Sequence, residues 1–506
     1  MPDPGVASGS QPPIAIPERA RPILERLWSS GHAAYLVGGA VRDQLLRRPV
    51  VSGPRGPREH ARPEGGTPQE PADIATDATP EQVLALFPGG VSDNPFGMVR
   101  LPDAEVTTFR RDHRYEDRRR PTAVTFTTDL LEDLARRDFT VNAIAFGRPA
   151  SRPGESRELE LVDPTGGVSD LRDRLIRAVG DPDQRFDEDA LRLLRAARLA
   201  ATLGFTIEPV TRAAMSRRAD LVRHVSRERV GQEIRKMLKA ERPSSGFRIL
   251  SETGLLRPVL PELVAQAGIP QNKIAGQDLW DHTLLTLDAA AALAPADPGR
   301  REEVLLAALL HDVGKPETLK DQRFVGHDEV GAEFAAGILR RLAIGRPDAN
   351  RVVRLVRWHM FGYEQAWSGA AVRRFIRKVG PDLLPSLFLL READNVGSGR
   401  PPEWGGLTEL RRRVEDEVSR RVPLQLSDLA INGDDLQSEL GLEPGPEIGA
   451  LLERLLESVV SEPERNNRAR LLADARAWHA AGTTARRRRS ERQPGRPQAA
   501  GRRAAS

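Results

Sequence analysis

The sequence predicts an α+β fold, a small head of mixed sheet and helices followed by an all-helical remainder. Two patterns carry that prediction. Up to about residue 150, strand-length apolar stretches alternate with Gly, Pro and Asp turn signals. From residue 161 onward, apolar residues recur at spacings of three and four, the period of a helix.

The elements follow in order. Residues 1–16 are rich in Pro, Gly and Ser and read as a disordered leader. The head spans 17–150. It opens with a helix over Arg21–Ser29, then Gly31, then a strand at 33–37. Ten of the 26 residues in 47–72 are Pro or Gly, with no apolar period, so this segment reads as a disordered insertion. Order returns at 73–76 and continues into a helix at 80–87. Residues 98–101 and 105–110 flank a Pro102-Asp103 turn, which predicts a hairpin, and 124–127 reads as a further strand. Helical patterns at 187–203, 228–240 and 246–253 make a neck, 151–265. A helical block at 281–394 lies in a unit spanning 266–400, and a last one at 407–479 in a unit spanning 401–480. Residues 481–506 are Arg-rich and expected to be disordered.

The chain has 506 residues, enough for several domains. Charged residues make up 29%, yet the formal net charge is only +4. Residues 486–506 hold eight Arg and one Glu, which leaves the first 485 residues at −3. Six of the 76 basic residues are Lys. The Arg bias suits bidentate phosphate contacts, and equally a GC-rich coding sequence. The absence of cysteine excludes disulfides, thiolate metal sites and a catalytic thiol. No stretch approaches the roughly 20 apolar residues of a membrane span. The N-terminus carries Pro and charge where a signal peptide needs an apolar core. The expectation is a soluble cytoplasmic protein without membrane contact.

The head carries chemistry. Leu36-Val37-Gly38-Gly39-Ala40-Val41-Arg42-Asp43 runs from a strand through two glycines into a helix. Glycines allow close backbone approach, and a helix start offers free N–H groups and a positive dipole end. Asp73-Ile74-Ala75-Thr76-Asp77 follows, then Glu105-Val106-Thr107-Thr108-Phe109-Arg110, then Arg137-Asp138-Phe139-Thr140-Val141-Asn142, then Asp187-Glu188-Asp189-Ala190-Leu191-Arg192. In this order the motifs, from about Arg21 to Leu256, resemble the class II tRNA nucleotidyltransferases, or CCA-adding enzymes, and their poly(A) polymerase relatives.

The resemblance implies a polymerase-beta-like head that adds C and A to the tRNA 3′ end from CTP and ATP, with Mg²⁺ as cofactor. Asp73 and Glu105 become the catalytic, metal-holding carboxylates on predicted strands. Gly38, Gly39, Arg42, Arg110 and Arg137 become triphosphate contacts. Asp138 and Asn142 match nucleotide-binding positions, with Asn142 facing the sugar. Asp189 and Arg192, three apart on one predicted helix, complement the donor–acceptor edges of cytosine and adenine and reject uracil and guanine. Glu188 supports them. The 401–480 unit becomes an RNA-binding tail.

One position departs from the family. The residue two before Asp73, a carboxylate in relatives, is Pro71. Three readings stay open: Glu70 reaches the same metal, Asp77 substitutes, or head catalysis is weakened.

A second series begins at Asp281-His282 and continues through His311-Asp312, Lys315, His327, His359 and Asp394. It resembles the HD phosphohydrolase superfamily. That implies His282, His311, Asp312 and Asp394 as the minimal metal set, with His327 and His359 as the additional ligands of two-metal members. Imidazole and carboxylate together suit Mn, Fe, Ni or Co, and Lys315 is placed to bind phosphate. Two alternatives to CCA addition remain at this level: an HD phosphohydrolase with a weakened RNA-binding head, and a poly(A) polymerase. The oligomeric state is not legible.

Overall fold

The computed structural model describes residues 14–46, 71–92, 96–112, 124–151, 158–271, 273–295 and 297–491. Residues 47–70, Glu70 included, lie outside them. Of the expected leader, Ile14 and Ile16 are described, and both pack against the head.

The head is built on a six-stranded sheet, with strand order β3-β4-β2-β1-β7-β8. The strands are β1 (Ala34–Val37), β2 (Ala72–Thr76), β3 (Met98–Arg100), β4 (Ala104–Thr108), β7 (Ala145–Arg148) and β8 (Glu160–Val162). A separate ribbon pairs β5 (Arg110–Asp112) with β6 (Val124–Phe126). β2 and β4 are parallel, and the other sheet neighbours are antiparallel. The hairpin expected about Pro102-Asp103 is the β3–β4 pair. The sheet extends past 150 because β8 adds an edge strand.

Alternation decides which side each residue faces. Leu36, Ile74 and Val106 point into a core shared with Leu24, Leu27, Val41 and Val83 from the flanking helices. Tyr35 and Ala75 face the other side, with Phe109 and Leu134. Asp73 and Glu105 fall in phase with Ala75 and Thr107, so they lie on that second, more open face.

The remainder is largely helical. The stretch expected as one helix over 187–203 is two, Pro182–Glu188 and Leu191–Leu203. The break sits at Asp189, whose backbone is extended. Its side chain accepts the Leu191 N–H at 3.0 Å, offering the backbone a turn in place of helix.

Neck and HD-type unit share one core, in which Phe247 and Leu250 join Leu284 and Leu287. Ser244 binds Asp288 through its N–H at 3.0 Å and its hydroxyl at 2.6 Å. The helix Arg227–Met237 approaches so closely that a Cβ on Gly231 would lie 1.9 Å from the Leu342 carbonyl oxygen. The C-terminal helices Gly433–Leu440, Pro446–Ser461 and Arg468–Glu491 have their own core around Leu436, Leu455, Val459 and Leu471. Buried Arg373 ties that core to the rest by donating to the carbonyls of Val460 (2.6 Å) and Ser461 (3.0 Å). The last helix continues to Glu491, into the segment expected to be disordered. Among the described residues no helix is long and apolar enough to cross a membrane.

Candidate active sites

In the head, parallel pairing sets Asp73 directly opposite Glu105. Adjacent strands lie about 4.8 Å apart, so the two carboxylates stand side by side. Asp73 is exposed and Glu105 is half-buried. The strand β1 ends at Val37, and Gly38 turns the chain into the helix Gly39–Leu46 with φ +64°. A Cβ on Gly38 would sit 3.4 Å from Arg137 Nη1 and 3.7 Å from Asp73 Oδ2. The glycine turn, the Asp73 carboxylate and the Arg137 guanidinium therefore meet at one point, beside a helix start.

Around that point runs a hydrogen-bond chain. Arg42 donates to Asn142 Oδ1 at 2.7 Å, and Asn142 donates to Asp138 Oδ1 at 3.1 Å. Arg195 donates to Asp138 Oδ2 at 2.7 Å. Burial pushes the Asp138 carboxyl up, but the Arg195 and Arg192 charges and the Asn142 and Arg195 hydrogen bonds outweigh it. Asp138 is held well below the usual carboxylate range. Asp138 and Asn142 thus brace Arg42 here, with both ends of the Asn142 amide already engaged by protein. Buried Asp133 pairs with Arg136 at 2.6 Å and with Arg137 at 3.1 Å. The Arg110 guanidinium donates to the Phe96 carbonyl at 2.5 Å.

Asp77 is committed elsewhere. Its Oδ1 accepts from the Ala33 N–H at 3.0 Å and contacts His32 Nδ1 at 3.1 Å. It serves the β1–β2 junction and not the Asp73–Glu105 pair. Glu70 lies outside the described residues.

Asp189 and Arg192 do not share a helix face as expected, because Asp189 is the residue that breaks the helix. Arg192 is buried, held by Glu188 at 2.7 Å and by the carbonyls of Arg185 (3.1 Å) and Arg136 (3.0 Å). Asp189 Oδ2 accepts from Arg229 at 2.8 Å. Glu188 therefore orients Arg192, and Arg229 engages Asp189.

The HD-type unit brings all six expected ligands together from five helices and the turns at their ends, His311 and Asp312 following the same helix. Their atoms form two groups, His282–His311–Asp394 and Asp312–His327–His359, each within 4.8 Å. Asp312 bridges them, with Oδ2 at 3.3 Å from His282 Nε2 and 3.1 Å from His311 Nε2, and Oδ1 at 3.4 Å from His327 Nε2. His282 Nε2 lies 3.2 Å from Asp394 Oδ1. Each imidazole is aimed by a carbonyl behind it. The Nδ1 atoms of His282, His311, His327 and His359 sit 3.0, 2.8, 2.6 and 2.7 Å from the oxygens of Gly397, Ala308, Phe324 and Val356. Second-sphere bonds of this kind fix the tautomer that presents Nε2 to a metal. Burial raises both Asp312 and Asp394, but neighbouring imidazoles and the Lys315 and Lys273 ammonium groups outweigh it and hold both carboxyls well below the usual range. A buried set of imidazole nitrogens and ionised carboxylate oxygens, converging within 4.8 Å in each group, fits a divalent cation.

Lys315 Nζ donates to Asp312 at 2.6 Å and to Gln271 at 2.9 Å. Sequence reasoning missed Lys273, whose Nζ is 3.5 Å from Asp394 and 3.2 Å from His282 Nε2. It missed Arg195, Arg229 and Asp133 as well. A long side chain reaching in from a loop or a distant helix leaves no spacing signal.

Comparison with known proteins covers each of these units. A family model described as "Poly A polymerase head domain" matches 34–177, and an HD domain model matches 279–398. Between them, 204–266 match a model described as "Probable RNA and SrmB- binding site of polymerase A", and beyond them 414–475 match one described as "tRNA nucleotidyltransferase domain 2 putative". The CCA-adding enzyme of Anoxybacillus flavithermus is 32% identical over 462 residues, covering 90% of this chain and 95% of the relative. That of Geobacillus stearothermophilus is 33% identical over 464 residues, covering 90% and 96%. The crystal structure of the Bacillus stearothermophilus CCA-adding enzyme in complex with CTP is 28% identical, covers 93% of this chain and 100% of its own, and superposes with a TM-score of 0.63. A polymerase-type head, a helical neck and an HD domain, matched along their whole length by these relatives, establish that the chain belongs to the CCA-adding tRNA nucleotidyltransferases.

Proposed function

We propose that the head adds C and then A to the 3′ end of tRNA, using CTP and ATP in the cytoplasm. The observation that carries this is the Asp73–Glu105 pair standing in register beside the Gly38 turn and Arg137. Two neighbouring carboxylates on an open sheet face suit Mg²⁺, which would lower the pKa of the primer 3′-hydroxyl and offset the charge of the triphosphate. We assign Glu70, adjacent to Pro71 in the sequence, as the candidate third carboxylate of the head.

The residues themselves divide the remaining work. The N–H groups at the Gly39 helix start, with Arg42, Arg110 and Arg137, hold the triphosphate. Asn142 and Asp138 keep the Arg42 guanidinium in place. Arg192, oriented by Glu188, and Asp189 read the base edge. The 3′-hydroxyl oxygen bonds to the α-phosphorus, its proton leaves, and pyrophosphate departs.

The HD centre is a metal-dependent phosphohydrolase. His282, His311, Asp312 and Asp394 would hold one metal, with His327 and His359 as the additional ligands of a second, drawn from Mn, Fe, Ni or Co, and the metal would supply an activated water. Lys315 and Lys273 take the phosphate charge. A tRNA ending at its discriminator base tests the head. With Mg²⁺ and CTP it gains two nucleotides, and with ATP added it gains a third. Absence of any extension sinks the transferase reading. Extension by ATP alone into long tails indicates a poly(A) polymerase instead.

A further inference from the structure

The metal-facing cavity of the HD unit, about 430 Å³, is lined by Lys273, Lys315, Arg323, Arg391 and Arg400 beside Asp312 and Asp394. Arg323 and Arg400 make no ion pair with a described residue. Five cations over two metal-side carboxylates suit a phosphorylated ligand.

A second cavity of about 400 Å³ adjoins it and has a different character. Trp358, Met360, Phe361, Trp367 and Phe375 line it, with Lys378 at the rim. Its wall is the same backbone that supplies two ligands: Trp358 immediately precedes His359, and Asp328, also in the lining, follows His327. Lys378 Nζ lies 4.5 Å and the Arg357 guanidinium 4.7 Å from the Trp358 ring centre. Among the described residues no carboxylate pairs with Lys378.

Two side chains join the cavities. Met360, half-exposed, lines both. Arg391 lines the cationic cavity, and its guanidinium lies 5.7 Å from the ring centre of Phe361 in the aromatic one. A phosphate site beside a partly buried aromatic wall under cations is the chemistry that binds single-stranded nucleic acid, where bases stack and the backbone meets positive charge.

We propose that the aromatic cavity is a base-stacking subsite of the HD centre, so that the centre acts on the terminal phosphate ester of an RNA strand, with the neighbouring base held in the cavity beside Trp358 and Lys378. This rests on the hydrolase reading of the metal site. Water adds to the phosphorus, the P–O ester bond breaks, and the released ribose oxygen takes the proton. A free mononucleotide fills only the cationic half, and a dinucleotide fills both.

The test uses the full chain and two probes, adenosine 3′-phosphate and a 3′-phosphorylated diadenylate. Equilibrium binding, tryptophan fluorescence and phosphate release are measured for the wild type, Trp358→Leu and Lys378→Gln. The wild type is expected to bind the dinucleotide at least about tenfold tighter, with quenching of tryptophan emission. Each variant is expected to bring that ratio close to one. Lys378→Gln, a rim substitution, gives the answer if Trp358→Leu fails to fold. Equal binding of the two probes by the wild type, or a ratio that survives both substitutions, overturns the proposal. Preferential dinucleotide binding with no phosphate release under any of the four metals sinks the hydrolase reading and leaves the stacking subsite standing. Hydrolysis of both probes with equal KM does the reverse.

Discussion

Gly38 shows how much one residue contributes to the head. Its φ of +64° is costly for any side chain, and an added Cβ would lie in contact with the Arg137 guanidinium and the Asp73 carboxylate. Gly38→Ala is therefore expected to lower kcat/KM for nucleotide addition by about 10²-fold, read in a primer-extension assay, because a displacement of about 1 Å at a positioning group has that effect. Asp138 makes a prediction about pH. Its folded-state carboxyl is depressed, so its stabilising contribution is complete above the unfolded value near 4 and is lost as pH falls through the lower folded value. Asp138→Asn is expected to cost about 2 kcal/mol at pH 7. That is below the 3–5 kcal/mol typical of a broken buried pair, because Arg195 is a third exposed and water screens it. Denaturant titrations at pH 7 and pH 3 check this: the variant should lose less stability on acidification than the wild type. The residues legible in the sequence were those whose chemistry is specific at short range, such as His311-Asp312 and Gly38-Gly39. Lys273 and Arg195 were not legible, because only the folded chain brings them to their partners.

Elements were read best where a strong period ran uninterrupted. The β3–β4 hairpin announced itself through Pro102-Asp103 between two alternating runs. The break at Asp189 did not, because the helical period passes through it and only the Asp189 side chain, bonded to the Leu191 N–H, diverts the backbone. The edge strand β8 is three residues long and carries no alternation that separates it from a loop. Helix contacts between units are equally silent in sequence, yet they are sharply testable. Gly231→Ala in the helix Arg227–Met237 drives a methyl into the Leu342 carbonyl and is expected to destabilise by about 2–4 kcal/mol. Gly337→Ala, in a helix where nothing lies within 4 Å of the added Cβ, is expected to stabilise by about 0.5 kcal/mol. Chemical denaturation of the two variants beside the wild type separates packing from intrinsic helix preference. Equal effects would contradict the packing account.

The whole molecule holds two clusters of metal-suited side chains in one chain. A carboxylate pair stands on the open face of a small sheet, and a buried histidine–aspartate cluster lies in a helical bundle, with a neck that shares its core with the bundle between them. The net charge of the chain concealed this arrangement, since most of its positive excess lies in residues 486–506. What the sequence made plain at this scale was the order of the units. What it left open was the consequence of Pro71, because the neighbouring carboxylate belongs to the insertion. If a carboxylate two residues before Asp73 is the missing element, Pro71→Asp raises the rate of nucleotide addition and makes it insensitive to Glu70→Ala, while Glu70→Ala alone lowers it at least tenfold. The most direct measurement is 3′ extension of a tRNA lacking its terminal CCA by the wild type, Asp73→Asn and His311→Ala, with Mg²⁺, CTP and ATP. The prediction is three added nucleotides for the wild type and for His311→Ala, and none for Asp73→Asn. Failure of the wild type to extend, or extension that survives Asp73→Asn, would contradict it.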